Sequence, residues 1–201
     1  MKIFKLTANG LTQIADFFGI TDPDFRGGAR AAVGDLNGDG HSDLIVTAGA
    51  SGGPRVAVFD GRSIVSFGTP VKMIDDFFVF DPADRSGVTV AAGDLDGDGK
   101  AELLFGAGPG GGPRVLVLRF ADLASTGSAP FGNFFASDDT QRNGVQLAAK
   151  DINRDGILDL VTTTEGPTAM LRSFAGSHDG LSVDPHDSVI EGMTFGGAFV
   201  G

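Results

Sequence analysis

The chain of 201 residues has a hydrophobic fraction of 41% and a formal net charge of −11, and the hydrophobic fraction excludes a disordered composition. The acidic charge argues against a partner bound through phosphates, so we expect no nucleic acid to bind. The absence of Cys excludes disulfides and thiolate metal sites, and no apolar run reaches the length of about 18 residues that a membrane span needs. Polar residues such as Lys5 and Asn9 interrupt the N-terminus, which therefore does not read as an export signal.

The predicted elements begin with two strands, KIFKL (2–6) and IADFFGI (14–20). GGARAAVG (27–34) and the apolar run after residue 43 predict two further strands, which flank the acidic loop in GDLNGDGHSD. A turn rich in Gly and Pro then leads into the strand RVAVF (55–59). No segment has the sustained 3.6-residue period of a long helix, so these elements indicate an all-β chain.

This succession of elements recurs along the chain. GDLNGDGHSDLIV at 34 is followed by GDLDGDGKAELLF at 93 and KDINRDGILDLVT at 150, so the first acids lie 59 and 57 residues apart. A unit of this length in tandem predicts an array of supersecondary modules. Each loop is preceded by a Phe pair and by an arginine: Phe17–Phe18, Phe77–Phe78 and Phe134–Phe135, with Arg26, Arg85 and Arg142.

Four short strands in each unit are typical of a β-propeller blade. We therefore predict about three four-stranded antiparallel blades with partial strands at both ends, as in a segment of a larger propeller. The third blade is the poorest match, because its GGPR turn is shortened and residues 175–190 are more polar. The incomplete ends predict continuation into further blades or self-association. The predicted units are a partial blade at 1–28, blades at 29–86, 87–143 and 144–195, and an extra first strand at 196–201.

Three interpretations of the acidic loops compete: an EF-hand, a compact calcium-binding hairpin loop, and a turn without metal. An EF-hand needs an acid at position 12 and flanking helices, whereas position 12 is Val46, Phe105 and Thr162, inside predicted strands. Asp, Asn and Gly are common in turns, but acids held this closely in three loops in register repel one another unless a cation binds. Flexible cages of oxygen ligands favour calcium, so the pattern predicts about three Ca²⁺ per chain.

The predicted ligands are the side chains at positions 1, 3, 5 and 9 of each loop, together with the backbone carbonyl of position 7. A glycine at position 6 allows the sharp turn that directs position 7 inward. In loop one (35–43) the ligands are Asp35, Asn37, Asp39, the His41 carbonyl and Asp43. In loop two (94–102) they are Asp94, Asp96, Asp98, the Lys100 carbonyl and Glu102, and in loop three (151–159) they are Asp151, Asn153, Asp155, the Ile157 carbonyl and Asp159.

The repeated unit resembles the FG-GAP/VCBS repeat, the calcium-binding blade of integrin-alpha-type β-propellers. The form VTVAAGDLDGDGKAELLFGAGPGGGPRVLVL is most similar to the repeat arrays of bacterial surface proteins. The resemblance implies that each calcium loop joins the first and second strands of a blade and that calcium is mainly structural. It also implies binding functions, namely cell adhesion, protein partners or carbohydrate, although the family also supplies accessory domains of enzymes.

We expect a non-catalytic module that serves adhesion or binds a protein or glycan. We expect it to be extracellular or at the cell surface, because open sites of this kind suit near-millimolar calcium. The alternatives are an accessory or catalytic domain of an extracellular polysaccharide-active enzyme, a lectin-like propeller, and a structural stalk. We expect no enzyme, because no G-x-S-x-G elbow, Cys nucleophile or H-E-x-x-H motif is present.

The remaining candidates have structural interpretations. Each Phe pair is expected to offer one ring to each adjacent blade, and the arginine before each loop is expected to contact an acid or carbonyl of the next blade. Arg55 and Arg114 follow the GGP turns and are weaker candidates for contacting a partner. The segment 175–190 is interpreted as a solvated loop, although it contains His178, Asp179, Asp184, His186 and Asp187.

Overall fold

The computed structural model describes residues 1–22, 24–124, 129–164 and 170–183. The described residues form 15 strands in four separate antiparallel sheets, with two short helices. The predicted all-β fold of propeller-like blades is confirmed. Each large sheet is a meander, because consecutive strands along the chain pair with one another.

A two-stranded hairpin precedes three four-stranded blades. The hairpin consists of β1 (Lys2–Thr7) and β2 (Gly10–Asp16). Blade one consists of β3 (Ala29–Gly34), β4 (Asp43–Ala48), β5 (Arg55–Asp60) and a fourth strand in two pieces, β6 (Val71–Lys72) and β7 (Phe77–Phe78). Blade two consists of β8 (Val88–Gly93), β9 (Glu102–Ala107), β10 (Arg114–Leu118) and β11 (Gly132–Phe135). Blade three consists of β12 (Val145–Lys150), β13 (Asp159–Thr164), β14 (Leu171–Ala175) and β15 (Ser182–Val183).

Two helices that the sequence did not predict connect third strands to fourth strands. The helix α1 (Gly61–Phe67) follows β5, and a 3₁₀ helix (Phe120–Ala124) follows β10. The Asp60 carboxylate caps α1 by accepting the Ser63 N–H at 2.8 Å. Gly68 ends the helix in the left-handed conformation, with φ of 67°. A helix of two turns is too short for a 3.6-residue period to appear in its sequence. The sequence features that indicate α1 are instead its capping residues, Asp60 and Gly68.

The hydrophobic core lies between neighbouring sheets. One cluster joins blades one and two, a second joins blades two and three, and a third joins the hairpin to blade one. First strands of adjacent blades approach closely where β3 and β8 end in glycine. A Cβ at Gly34 would lie 3.0 Å from the Ala92 Cβ in β8, and one at Gly93 would lie 2.4 Å from the Ala149 Cβ in β12. Each blade is therefore stabilised mainly by contact with its neighbours.

The Phe pairs follow the prediction in part. The first ring of each pair packs edge-on or tilted against the next unit: Phe17 on Phe59 at 5.1 Å, Phe77 on Phe105 at 6.4 Å, and Phe134 on Phe174 at 4.4 Å between centroids. The expectation that the second ring is buried against the other neighbour is wrong, because Phe18, Phe78 and Phe135 are 74%, 52% and 50% exposed. Phe17–Phe18 also follow β2 and lie outside it, whereas the other two pairs lie in β7 and β11.

Part of the third unit lies outside the described residues, including Asp184, His186 and Asp187. The expected extra first strand at 196–201 also lies outside them. Within the described ranges, neither helix has the length and apolar character that crossing a membrane requires.

Candidate metal centres

The three acidic loops occupy the same place in their blades. Loop one connects β3 to β4, loop two connects β8 to β9, and loop three connects β12 to β13. In each case the acid at position 9 is the first residue of the second strand and pairs with the last residue of the first strand. The implied location of the loops, between the first and second strands, is confirmed.

The acid at position 1 organises each loop by accepting backbone N–H groups. In loop one, Asp35 Oδ1 accepts from Gly38 at 2.7 Å, and Oδ2 accepts from Gly40 at 2.8 Å. Desolvation raises the pKa of Asp35, but hydrogen bonds from the Gly40, Gly38, Asp39 and Asn37 N–H groups outweigh it and hold the pKa below its usual value. The same contacts recur at Asp94 (2.7 and 2.9 Å) and Asp151 (2.6 and 3.1 Å).

Positions 3 and 5 continue this pattern of side chains accepting from the backbone. The Asn37 Oδ1 accepts the Asp39 N–H at 2.9 Å, and the Asp39 Oδ1 accepts the His41 N–H at 2.9 Å. Position 7 is therefore held by the acid at position 5. The equivalent pairs in loop two are Asp96 with Asp98 and Asp98 with Lys100, and in loop three Asn153 with Asp155 and Asp155 with Ile157.

The acid at position 9 is buried and ties loops one and three to the end of the third strand. Asp43 is 0% exposed. Its Oδ2 accepts the Leu36 N–H at 3.0 Å, and its Oδ1 accepts the Gly61 N–H at 2.9 Å. Burial raises the pKa of Asp43. Asp159 repeats the arrangement with Ile152 at 2.8 Å and Gly176 at 3.1 Å.

Loop two has the densest carboxylates among the described residues. One oxygen each from Asp94, Asp96 and Glu102 lies within 4.8 Å of the others. Glu102 is 2% exposed and accepts the Leu95 N–H at 2.7 Å. Burial raises the pKa of Glu102 to about 7, and the charges of the neighbouring acids add to the effect. This group therefore carries a proton for part of the time near neutral pH unless a cation is bound.

Positions 4 and 6 of the loops require the left-handed backbone conformation. Position 6 is glycine in all three, with φ of 82°, 85° and 92° at Gly40, Gly99 and Gly156. Position 4 has φ of 77° at Gly38 and 75° at Gly97, but in loop three the residue is Arg154, with φ of 67°. The sequence reasoning identified only the glycines at position 6. A residue other than glycine at position 4 makes loop three the strained one.

Adjacent loops are linked to one another. The Ala101 N–H of loop two donates to the Asp35 carbonyl of loop one at 2.7 Å, and the Leu158 N–H of loop three donates to the Asp94 carbonyl at 3.1 Å. The side chain at position 7 also packs on the glycine at position 4 of the preceding loop. A Cβ at Gly38 would lie 3.3 Å from the Lys100 side chain. The loops therefore form a continuous row.

The donors of the three loops fit a hard cation, because every predicted ligand atom is oxygen. Carboxylate oxygens have about two lone-pair sites each, so the backbone N–H contacts leave capacity for a metal. Calcium takes 6–8 oxygen ligands. Four side chains and one carbonyl per loop would supply most of them, and water would complete the set.

The other candidate residues have local partners. Arg85 Nη1 donates to the Pro82 and Asp84 carbonyls, and Arg142 Nη1 donates to the Asp139 and Gln141 carbonyls. These carbonyls belong to the residues just before each arginine, so the expected contact with the next blade is wrong for the two guanidinium groups. The backbone oxygens of the same arginines do bridge blades, accepting from Ser51 and Gly110 at 2.9 Å. Arg26 similarly donates to the Phe25 carbonyl at 3.1 Å.

Arg55 and Arg114 also have side-chain partners. Arg55 forms an ion pair with Asp76 at 2.8 Å. The Arg114 Nε donates to the Asn133 Oδ1 at 3.1 Å, and its guanidinium lies 5.7 Å from the centre of the Phe80 ring. His178 lies against loop two, because a Cβ at Gly97 would be 3.0 Å from its Cε1. These contacts favour structural roles for the three side chains.

Part of the chain matches a known protein family. Residues 35–105 match the family model described as an FG-GAP-like repeat. The matched segment runs from the first acid of loop one into β9, so it contains loops one and two and the strands between them. The resemblance noted in the sequence is confirmed over these residues.

Proposed function

We propose that this FG-GAP-type repeat protein is a calcium-binding β-propeller module that serves adhesion or the binding of a protein or glycan. Calcium acts structurally, and the chain does not catalyse a reaction. We place the module outside the cell or on its surface, on a bacterial protein. The single observation that supports the proposal best is the threefold recurrence of one oxygen-donor arrangement at one place in each blade.

The need for a cation follows from the charges. Each loop holds three or four acids within nine residues, and the acid at position 9 is buried in all three loops. Carboxylates crowded into one loop repel one another by several kcal/mol in a partly desolvated site. A loop without metal therefore depends on protonation of an acid, or on hydrogen bonds from backbone N–H groups, to offset this repulsion. A bound Ca²⁺ would supply the missing positive charge. Asp35, Asn37, Asp39, the His41 carbonyl and Asp43 would hold it in loop one, with their counterparts in loops two and three.

Holding calcium in this row would stiffen the whole array. The acid at position 9 in loops one and three is anchored to the end of the third strand, and each loop is hydrogen-bonded to its neighbour. A cation that fixes positions 1 to 9 therefore fixes three strands and the border with the next blade. This rigid frame would present the connections between strands to a partner, the usual arrangement in repeat proteins.

Calorimetric titration with calcium tests the metal sites. We expect about three sites per chain, and Asp39→Ala should weaken binding at loop one. Asp139→Ala is the matched control, since this exposed aspartate lies in a connection outside the loops. Equal titration curves for the two variants would contradict the proposal. Screens of glycans and protein ligands with calcium or chelator then test the binding role. Turnover of a polysaccharide would overturn the non-catalytic assignment.

Self-association or continuation into further blades belongs to the same proposal. Val33 in β3 of blade one is 63% exposed. It lies on the face of the first strand that the preceding blade covers in blade two and in blade three. Light scattering over a concentration series should show association of the isolated chain, and Val33→Asp should reduce it. Phe67→Asp, at a ring that is 79% exposed on α1, is the control. A compact monomer at all concentrations would contradict the proposal.

A further inference from the structure

Blade two departs from the other blades where the third strand ends beside the loop. In blades one and three a glycine at this position donates its N–H to the acid at position 9. A side chain there has no room, because a Cβ at Gly61 would lie 1.8 Å from the Ser42 carbonyl oxygen and one at Gly176 would lie 2.2 Å from the Leu158 oxygen. The register places Phe120 at this position in blade two, and position 9 is the longer Glu102.

The residue before Phe120 turns back into loop two. Arg119 occupies the position of Asp60 in blade one and Ala175 in blade three. Its Nε and Nη2 both lie 2.8 Å from the Asp96 Oδ2. Its guanidinium also lies 4.3 Å from the centre of the Phe131 ring, so the side chain is held from two sides.

The partner of Arg119 is the acid that makes loop two different. Position 3 is a neutral amide in the other loops, Asn37 and Asn153, but a carboxylate in loop two, Asp96. The Asp96 side chain is only 7% exposed, so its charge is poorly solvated without a partner. Loop two carries four acids where loops one and three carry three. Arg119 offsets one of the four acids at the ligand positions of loop two, which leaves three, the number that loops one and three carry.

We propose that Arg119 is a built-in counter-ion that sets the calcium affinity of loop two. It neutralises Asp96 and repels an incoming cation, so loop two binds calcium more weakly than its four acids alone would allow. Arg119 contacts the predicted ligand Asp96 and is therefore a tuning residue. The inference rests on the proposed calcium function of the loops.

The test is a calcium titration of Arg119→Gln in a chain that also carries Asp39→Ala and Asp155→Ala, which leaves loop two intact. Removing one positive charge beside a ligand should raise the affinity of loop two on the order of tenfold. The matched control is Arg114→Gln, since Arg114 begins β10, the strand that ends just before Arg119, and pairs with Asn133 outside the loop; it should leave the affinity unchanged. Asp96→Asn combined with Arg119→Gln should return the affinity close to that of the parent.

Different outcomes contradict this inference and the proposed calcium function on which it rests. Unchanged or weaker binding in Arg119→Gln, with calcium still bound at loops one and three of the otherwise unaltered chain, overturns the counter-ion role alone. A chain in which no loop takes up calcium overturns the proposed function. If the chain with Asp39→Ala and Asp155→Ala does not fold, the titration is repeated with Arg119→Gln as the only substitution. One class of sites should then bind calcium more tightly than in the unaltered chain, and the absence of such a class contradicts the proposal.

Discussion

Blade one and blade two share a sequence pattern but differ in how their first strands are covered. Ala92 in β8 packs into the cluster between blades one and two, and Phe105 behind it is 0% exposed. The corresponding residue of blade one, Val33, is 63% exposed. It lines a groove of about 460 Å³ between the hairpin and β3. The hairpin covers β4 and β5 of blade one but leaves this part of β3 open.

The difference shows that a blade of this kind does not bury its own first strand. The first and second strands of the preceding blade cover it. The N-terminal hairpin corresponds only to the third and fourth strands of a blade, so it cannot provide this cover for blade one. Stability in such arrays is a sum of contributions from units and from the interfaces between them. Truncating a side chain enclosed between two blades should therefore cost far more stability than truncating one on the open face of blade one.

The largest expected effect is the loss of an enclosed ring in blade two. Phe105→Ala removes a side chain that packs against Phe77 of blade one and should reduce the free energy of unfolding by about 3–5 kcal/mol. Val33→Ala, on the open face, should change it by no more than about 0.5 kcal/mol. Urea unfolding followed by circular dichroism measures both, since the chain has no Trp. Similar losses in the two variants would refute the comparison.

The next effect concerns pH and the enclosed Glu102. Burial raises its pKa to about 7 in the folded chain, against about 4.3 for an unfolded glutamate. The folded state therefore binds more protons between these values, so the stability of the calcium-free chain should fall as pH rises through this window. Across the whole window the loss approaches about 4 kcal/mol, since one pKa unit corresponds to about 1.4 kcal/mol.

Unfolding in chelator at about pH 5 and about pH 7.5 measures this slope. Glu102→Gln should remove most of the slope, because the amide has no proton to lose; the buried Asp43, whose pKa is also raised, accounts for the rest. Asp16→Asn, at an exposed aspartate on the hairpin, should keep the slope. A slope of undiminished size in Glu102→Gln would place the titrating group elsewhere.

The smallest effect extends the comparison to blade three. Arg154 has φ of 67° where the other loops have glycine. Arg154→Gly should stabilise the chain by about 1 kcal/mol, because glycine adopts this left-handed conformation without the steric cost that a side chain brings. At the equivalent position of loop two, Gly97→Ala should destabilise the chain by a similar amount. Thermal unfolding with saturating calcium compares the two. A stabilising Gly97→Ala would show that position 4 does not control the loops.

Much of the fold could be predicted from the sequence because the loops repeat in register. Strict recurrence of Asp35, Asp94 and Asp151 located the loops, and alternating apolar residues located the strands around them. The short pieces β6 and α1 escaped prediction, because they have too few residues for a period, whereas the Phe pair located β7. The Asp96–Arg119 pair also escaped, since it joins residues 23 positions apart that lie side by side only once the blade has formed.

The most direct test of the calcium proposal is the unfolding temperature of the unaltered chain at rising calcium, compared with the same chain in chelator and in magnesium. Each occupied loop should add about 2.7 kcal/mol at a calcium concentration 100 times its Kd. With about 2–4 °C of shift per kcal/mol for a chain of this size, three loops should raise the unfolding temperature by well over 10 °C. Magnesium should do far less. An unfolding temperature that neither calcium nor chelator changes would contradict the account.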